Sequence, residues 1–221
     1  MNRWGPTAVV LALLTATALA FAITERQKLE QTPFGVLPVT KTFSPLHRSA
    51  TIALRLRRAH LLTVQIVNSS DNAVATLARD QRFGPGKAVF HWLGRNVPDG
   101  VYEPRITLDH GRVYNLPNQI RTDTVTPKVR LLSYRPHVLR GGRKPPIRIA
   151  YQVSEPAHVI LYVDGRKVLV GFAKALLSRV RWFAKRHERP LPRGSYEFRL
   201  AAVDLAGNLS PPTRPFVVRI R

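Results

Sequence analysis

The residues of this chain that could do chemistry do not fall into the spacings of catalytic or metal-binding motifs. Seven histidines, at positions 47, 60, 91, 110, 137, 158 and 187, form no H-x-x-x-H or H-E-x-x-H pair, the spacing that turns two imidazoles toward one metal. The sequence also has no G-x-S-x-G motif, phosphate-binding glycine loop or dinucleotide fingerprint. We therefore predict no catalytic residue, no metal site and no cofactor, and we expect the chain not to be an enzyme.

Paired carboxylates for glycoside hydrolysis would have to come from a small set of acidic residues. That set comprises Asp71, Asp80, Asp99, Asp109, Glu155 and Asp204. Most of these residues lie in segments with the composition of turns, where an Asp side chain hydrogen-bonds the local backbone. The sequence therefore favours a structural role for these carboxylates over acid–base catalysis.

Basic clusters are the remaining candidates for a binding site. We predict a polyanion-binding surface formed by Arg55, Arg57 and Arg58, by Arg140, Arg143 and Lys144, and by Arg179, Arg181, Lys185 and Arg186. On alternating strands Arg55 and Arg57 would share one solvent face, as would Arg179 and Arg181. The alternative is an ordinary solvated surface.

Aromatic residues are not interleaved with these basic runs. Trp92, Trp182, Phe90 and Phe198 fall on positions that the strand pattern turns inward. Proteins that bind single-stranded nucleic acid without sequence preference use aromatic side chains as stacking platforms. Nucleic acid is therefore a possible partner of this chain but not the favoured one.

The charge balance sets the class of partner that the chain would attract. The 221 residues include 35 Lys and Arg against 13 Asp and Glu, a formal net charge of +22. A protein with this positive charge attracts polyanions, among them nucleic acid, anionic lipid and acidic cell-wall polymers. An Arg-rich proteome would produce the same balance with no partner at all. The absence of cysteine excludes disulfides, thiolate metal sites and a lipidated cysteine anchor.

The N-terminal segment is long and apolar enough to cross a bilayer. Residues 4–24 read WGPTAVVLALLTATALAFAIT, 21 residues without a charge, and a helix of about 20 apolar residues spans the hydrocarbon core. With Arg3 before it, the positive-inside rule would keep the amino terminus inside and export the rest. Small-x-small sites such as Ala18-Leu19-Ala20 also fit a cleaved signal peptide. Residues 1–30 are thus predicted to be a transmembrane anchor or a signal peptide.

Two stretches of the chain echo each other. NVPDGVYEPRITL (96–108) and PLPRGSYEFRLAA (190–202) share Pro-x-Gly-x-Tyr followed by apolar alternation, and Gly100 and Gly194 are 94 residues apart. Proline ends a strand, glycine can take a left-handed turn, and the tyrosine hydroxyl can bond nearby backbone. The repeat therefore predicts two similar units, each closed by a tyrosine corner.

Short alternating segments within each unit predict antiparallel strands. In the first unit the inward residues would be Ile52, Leu54 and Leu56; in the second they would be Ile147, Ile149, Tyr151 and Val153. TVQIVNSSDNAVATL and HVILYVDGRKVLV read as hairpins, the latter with an Asp-Gly turn. Residues 173–189 also fit helical spacing, but their register with the first unit favours a strand over Val180–Phe183.

Seven or so short strands in each unit predict an all-β chain of two tandem Ig-like β-sandwich domains behind the N-terminal segment. We place the domains at residues 36–124 and 127–221. The connecting stretch TDTVTPK is too short for a free linker, so we expect limited bending.

These motifs resemble the Ig-like domain of the bacterial flagellar hook-capping protein FlgD. The resemblance rests on FSP (43–45), FHWLGRNVPDGVYEPRITL (90–108), IRTDTVTPKV (120–129) and LPRGSYEFRLAAVDLAGNLS (191–210). The family usually has Trp-Asp-Gly where this chain has Trp92-Leu93-Gly94 and Trp182-Phe183-Ala184, so that turn is expected to differ. The resemblance implies an extracytoplasmic interaction or spacer module.

The sequence therefore predicts a non-enzymatic, membrane-tethered protein exposed outside the cytoplasm, or a secreted one if the leader is cleaved. It would serve as an interaction, adhesion or spacer module that contacts anionic envelope polymers or lipid headgroups. Two alternatives stay open. One is a surface DNA-binding accessory protein, and the other is a regulatory subunit of an envelope complex with an unknown protein partner.

Overall fold

The described part of the chain is built from β-strands, which confirms the predicted all-β class. A computed structural model describes residues 14, 15, 17, 33–140, 146–174, 176–186 and 189–221. Leu14, Thr15 and Thr17 have helical backbone, and the rest of the predicted anchor, residues 1–30, lies outside the described residues. Within the described ranges, no helix is long and apolar enough to cross a membrane.

Strands of the first half pair into two sheets. In chain order they are β1 (Phe34–Val36), β2 (Thr42–Phe43), β3 (Ala50–Leu56), β4 (His60–Val67), β5 (Ala73–Phe83), β6 (Gly86–Trp92), β7 (Gly100–Leu108), β8 (Arg112–Asn115) and β9 (Ile120–Thr122). One sheet has the order β1-β3-β6, and the other follows β2-β9-β7-β4-β5 with β8 added beside β7. β1 begins two residues before the predicted domain start at residue 36.

The second half repeats this arrangement. Its strands are β10 (Val129–Arg135), β11 (Val138–Leu139), β12 (Ile147–Val153), β13 (Ala157–Val163), β14 (Arg166–Ala173), β15 (Leu177–Trp182), β16 (Lys185–Arg186), β17 (Arg189–Pro190), β18 (Gly194–Asp204) and β19 (Phe216–Ile220). The sheets have the orders β10-β12-β15 and β11-β19-β18-β13-β14, and β16 pairs with β17. In both halves the two-residue strand β2 or β11 pairs in parallel with a later strand. The repeat predicted from the two echoing stretches is thus a repeat of sheet topology.

Each half has its own cluster of buried apolar side chains. The predicted inward residues are all buried: Ile52, Leu54 and Leu56 in β3, and Ile147, Ile149, Tyr151 and Val153 in β12. Trp92 packs edge-on against Phe43 and Tyr102, with ring centroids 5.4 and 5.1 Å apart, and Trp182 packs likewise on Phe198 at 5.5 Å. Since each fully buried large apolar side chain contributes roughly 1.5–3 kcal/mol, alternation along the strands accounts for both cores.

Both tyrosine corners form as predicted. The Tyr102 hydroxyl donates to the Pro98 carbonyl at 2.8 Å, and the Tyr196 hydroxyl donates to the Pro192 carbonyl at 3.0 Å. Gly194 has a nearly extended backbone, with φ +158°, and the expected left-handed glycine is wrong for Gly100, which has no positive φ. A Cβ there would lie 3.7 Å from the Tyr102 ring, an ordinary contact. The corner therefore depends on the tyrosine hydrogen bond more than on glycine conformation.

The residue two positions after each tryptophan has the same backbone conformation in both halves. Gly94 has φ +63° and Ala184 has φ +53°, so both residues adopt the left-handed conformation. Leu93 and Phe183 before them are exposed. The two halves thus share this turn, with glycine at its left-handed position in the first half and alanine in the second; its difference from the Trp-Asp-Gly turn of the hook-capping domain stays a prediction.

Residues 177–182 form strand β15, which confirms the strand interpretation of this ambiguous stretch. β15 pairs with β12 from Gln152↔Leu177 to Ile147↔Trp182. Phe183 lies just beyond the strand. The apolar residues of this stretch do not form one buried helix face. Trp182 is buried in the core, whereas Leu176, Leu177 and Phe183 are exposed.

Hydrogen bonds connect the loop after β18 to the chain between the two halves. The buried Asn208 amide nitrogen donates to the Asp123 carbonyl at 2.9 Å and to the Val125 carbonyl at 3.2 Å. The Ser44 backbone NH donates to the Ala206 carbonyl at 3.1 Å, and the Arg48 guanidinium donates to the Leu205 carbonyl at 2.7 Å. The segment between the two halves, residues 123–127, is called the junction below.

Candidate anion-binding face

The outer surface of the β10-β12-β15 sheet carries a row of arginines. Because Ile147, Ile149 and Tyr151 point into the core, the residues between them point outward. The register then pairs Arg148 with Arg135 on one side and with Arg181 on the other. Three exposed guanidinium side chains on adjacent strands therefore lie side by side.

Neighbouring outward positions extend this row. Ala150 pairs with Ser133 and with Arg179, and Gln152 accepts a hydrogen bond from Arg130 at 2.9 Å. We call the five residues Arg130, Arg135, Arg148, Arg179 and Arg181 the arginine face. All five are exposed.

A concavity opens in the middle of the arginine face. Its volume is about 230 Å³, and its lining residues are Ser133, Arg135, Arg148, Ile149, Ala150 and Arg179. Ser133 and Ala150 are the small residues of the row between the arginines. Their short side chains leave the space that the longer arginines border.

The charged residues on the strands of the arginine face are all positive. Strands β10, β12 and β15 read VRLLSYR, IRIAYQV and LSRVRW, so they contain no acidic residue. Like charges directly opposite each other on neighbouring strands are destabilising. A bound anion would offset this repulsion, whereas a purely structural surface would gain from an interspersed carboxylate.

Only part of the predicted basic surface belongs to the arginine face. Arg179 and Arg181 lie on it, while Arg55 lies outward on β3 between Gly35 and Lys87. Arg57 and Arg58 line a separate concavity of about 880 Å³ together with Arg112. The other predicted residues are placed as follows: Arg140 is exposed after β11, Lys185 and Arg186 form β16, and Arg143 and Lys144 lie outside the described residues.

The sequence interpretation missed Arg130, Arg135 and Arg148. Alternation in β12 already placed Arg148 outward, and that signal was available. The alignment of Arg135 and Arg181 with it depends on pairing register and on a bulge between Leu131 and Ser133. The apolar alternation within one β-strand carries no information about pairing register or about bulges.

One histidine contacts a carboxylate beside the larger concavity. His60 Nδ1 lies 2.7 Å from Asp109 Oδ2, and the Leu61 backbone NH donates to Asp109 Oδ1 at 3.0 Å. The hydrogen bond with His60, followed by that from Leu61, holds the pKa of Asp109 below its usual value. These contacts tie the start of β4 to the turn after β7, so this pair has a structural role.

Three carboxylates meet near the junction, an arrangement that the sequence interpretation did not foresee. Asp123, Glu155 and Asp204 each offer one oxygen, and these oxygens lie within 4.8 Å of one another. Oxygen donors so arranged suit a hard divalent cation, but acidic groups also gather without one. Asp204 is already supported by the Gly207 and Asn208 backbone NH groups, at 2.6 and 2.9 Å.

Glu155 is the carboxyl group of this trio whose pKa is raised. Desolvation raises its pKa, and the negative charges of Asp123 and Asp204 raise it further, against a smaller opposing effect of the Ser154 hydrogen bond. A carboxyl group whose pKa is higher in the folded state than in the unfolded state costs stability when ionised. The cost is absent below the unfolded pKa, grows as pH rises between the two pKa values, and is complete above the folded pKa.

We therefore expect Glu155→Gln to stabilise the protein at pH 7 by about 0.5–1 kcal/mol, the scale of charge interactions near a protein surface. The gain should vanish near pH 3.5, where the wild-type side chain is protonated in both states. Urea unfolding at the two pH values measures it. Glu103→Gln is the matched control, since Glu103 lies on β7 and its carboxylate accepts a hydrogen bond from the Gln119 side-chain amide. A variant less stable than wild type at pH 7 would contradict the repulsion.

No family model and no curated protein sequence matches this chain. Among solved structures, it is similar to the fibronectin(III)-like modules of Clostridium thermocellum CbhA, with 16% identity, TM-score 0.49, and coverage of 85% of this chain and 94% of that one. It is similar to the FN1–FN3 domains of chicken CNTN1, with 12% identity, TM-score 0.43, and coverage of 84% and 66%. It is also similar to the BSP domain of a biofilm-associated protein, with 16% identity, TM-score 0.30, and coverage of 85% and 30%.

Proposed function

We propose that this chain is a non-enzymatic interaction module, held at a bacterial cell envelope by its N-terminal segment, that contacts anionic envelope polymers through the arginine face. The proposal keeps the two halves as tandem Ig-like domains of the type found in the hook-capping protein. One observation carries it: Arg135, Arg148 and Arg181 lie side by side on three strands that contain no acidic residue.

The chemistry of the face suits an extended polymer better than a small ligand. The arginines spread over three strands, about 4.8 Å apart in the pairing direction, and present guanidinium groups to solvent. Each basic residue near an anionic surface contributes up to about 1 kcal/mol. The five arginines of the face together can hold a polymer without a deep pocket.

The test is binding of the full-length chain, purified in non-ionic detergent, to poly(glycerol phosphate) at low and physiological salt. The variant R135Q/R148Q/R179Q/R181Q removes four positive charges from the arginine face. We expect its dissociation constant to rise at least tenfold, because the lost charges are adjacent and act on the same stretch of polymer. The wild-type constant should also rise with salt.

The matched control removes four exposed basic residues of the first half: R79Q/R82Q/K87Q/R95Q. We expect it to change the dissociation constant less than about threefold, because it only reduces the overall positive charge of the protein. Equal losses in the two variants would show that net charge alone binds the polymer. Stronger competition by duplex DNA than by poly(glycerol phosphate) at equal phosphate concentration would replace the envelope polymer with DNA as the partner.

A further inference from the structure

The concavity within the arginine face has a charged rim and a small, nearly neutral floor. Arg135 comes from β10, Arg148 from β12 and Arg179 from β15, so three strands each contribute one guanidinium side chain. Ser133 and Ala150 lie between them in the pairing register. An anion entering from solvent would therefore meet positive charge from three strands, and the lining also includes Ser133, which carries a hydroxyl group.

This geometry favours a phosphate group over a carboxylate. A guanidinium is a planar fork that binds phosphate and carboxylate oxygens in bidentate fashion. A carboxylate has two oxygens in one plane, and a single fork satisfies them. A tetrahedral phosphate presents oxygens in several directions and can be contacted by arginines on different strands at once.

The size of the concavity is consistent with a group embedded in a chain. A volume of about 230 Å³ exceeds the share of one water molecule in the liquid, about 30 Å³, several times over. The space is open to solvent along the sheet. It can hold a phosphodiester and part of the chain on either side of it.

We infer that the concavity bordered by Arg135, Arg148 and Arg179 is a binding site for a single phosphodiester group of the anionic polymer. This inference rests on the proposed function, because it names the chemical group that the arginine face selects. The other arginines of the face, Arg130 and Arg181, lie outside the lining and act on the neighbouring charges of the polymer.

The test compares two polymers of equal charge count, poly(glycerol phosphate) and poly-glutamate, on the full-length chain in detergent. Ala150→Leu fills the floor of the concavity and keeps every charge. We expect it to weaken phosphate-polymer binding about tenfold and poly-glutamate binding less than twofold. Arg148→Gln should likewise weaken binding of the phosphate polymer more than that of poly-glutamate, whereas Arg130→Gln, which removes the same charge outside the lining, should weaken both equally and by less than threefold.

Failures of the two proposals give different results. If wild type binds neither polymer at physiological salt, the proposed function fails. If wild type binds both, but Ala150→Leu and Arg148→Gln affect both polymers equally, the arginine face binds by charge alone and the phosphodiester site is overturned. Thermal unfolding of each variant confirms that the sheet is intact.

Phosphodiester groups also occur in lipid headgroups, and a further arm identifies the source. Phosphatidylglycerol vesicles and soluble poly(glycerol phosphate), at equal accessible phosphate, compete for the full-length chain held in a non-ionic, phosphate-free amphipathic polymer. The stronger competitor identifies the source of the group. Competition by phosphatidylglycerol that is unaffected by Ala150→Leu would overturn the site for lipids.

Discussion

Gly94→Ala is expected to lower the free energy of unfolding by about 3 kcal/mol, because the added methyl group meets both a buried ring and an unfavourable backbone conformation. A Cβ at this position would lie 2.8 Å from Phe43 Cζ and 2.9 Å from Pro45 Cγ. Phe43 is fully buried and packs on Trp92, so its ring has little room to move. The backbone adds a second penalty, because φ is +63° and a left-handed residue with a Cβ costs about 1–2 kcal/mol.

Urea unfolding of full-length protein measures this loss, with Gly84→Ala as the control. A Cβ at Gly84 meets no atom within 4 Å, and its φ is not positive. Alanine there should be neutral or slightly stabilising, since it restricts the unfolded chain by roughly 0.4–1 kcal/mol. Equal stability of Gly94→Ala and wild type would mean that Phe43 and Pro45 move aside freely, and the packing argument would fail.

Side-chain direction could be predicted from the sequence because it depends on local alternation. Ile52, Leu54 and Leu56 are buried, and Arg55 between them is exposed. The same rule placed Arg148 outward in β12. Hairpin turns were also within reach, since Asp164 and Gly165 both have positive φ, as an Asp-Gly pair favours.

Lateral alignment could not be predicted, because it depends on strands far apart in the chain. The row Arg135, Arg148, Arg181 requires both the order β10-β12-β15 and a register set partly by the bulge in β10. Sequence clustering instead grouped Arg179 and Arg181 with Lys185 and Arg186, which belong to the separate β16-β17 pair. Nearness in sequence was therefore a poor guide to nearness on the sheet.

The acidic trio illustrates the same limit. Glu155 and Asp204 were among the carboxylates considered for catalysis, and Asp123 belongs to the Asp-Thr-x-x-Pro stretch of the junction. Their convergence requires the junction, the turn after β12 and the end of β18 to meet. What the sequence did indicate was that these acids lie in turns, where Asp204 accepts hydrogen bonds from its own loop.

The junction has an anchor in a single buried side chain, Asn208. Its carboxamide nitrogen donates to the Asp123 carbonyl, to the Val125 carbonyl and to Asp204 Oδ2, at 2.9, 3.2 and 2.7 Å. Asn208 is completely buried, so water does not readily replace these bonds. The side chain joins the closing loop of the second half to the segment that links the halves, which supports the expectation of limited bending.

Asn208→Ala is therefore expected to cost about 2–4 kcal/mol of unfolding free energy, because it leaves two carbonyl groups and one carboxylate oxygen without their donor. It should also increase the spread of angles between the two halves, since the junction loses its side-chain contacts. Urea unfolding measures the first effect, and small-angle X-ray scattering of full-length protein in detergent with matched contrast measures the second. Asn72→Ala, in the exposed turn after β4, is the control and should change neither. If Asn208→Ala unfolds at the wild-type urea concentration and scatters identically, the junction is held by backbone contacts such as that of Ser44 with Ala206, and the role assigned to Asn208 is wrong.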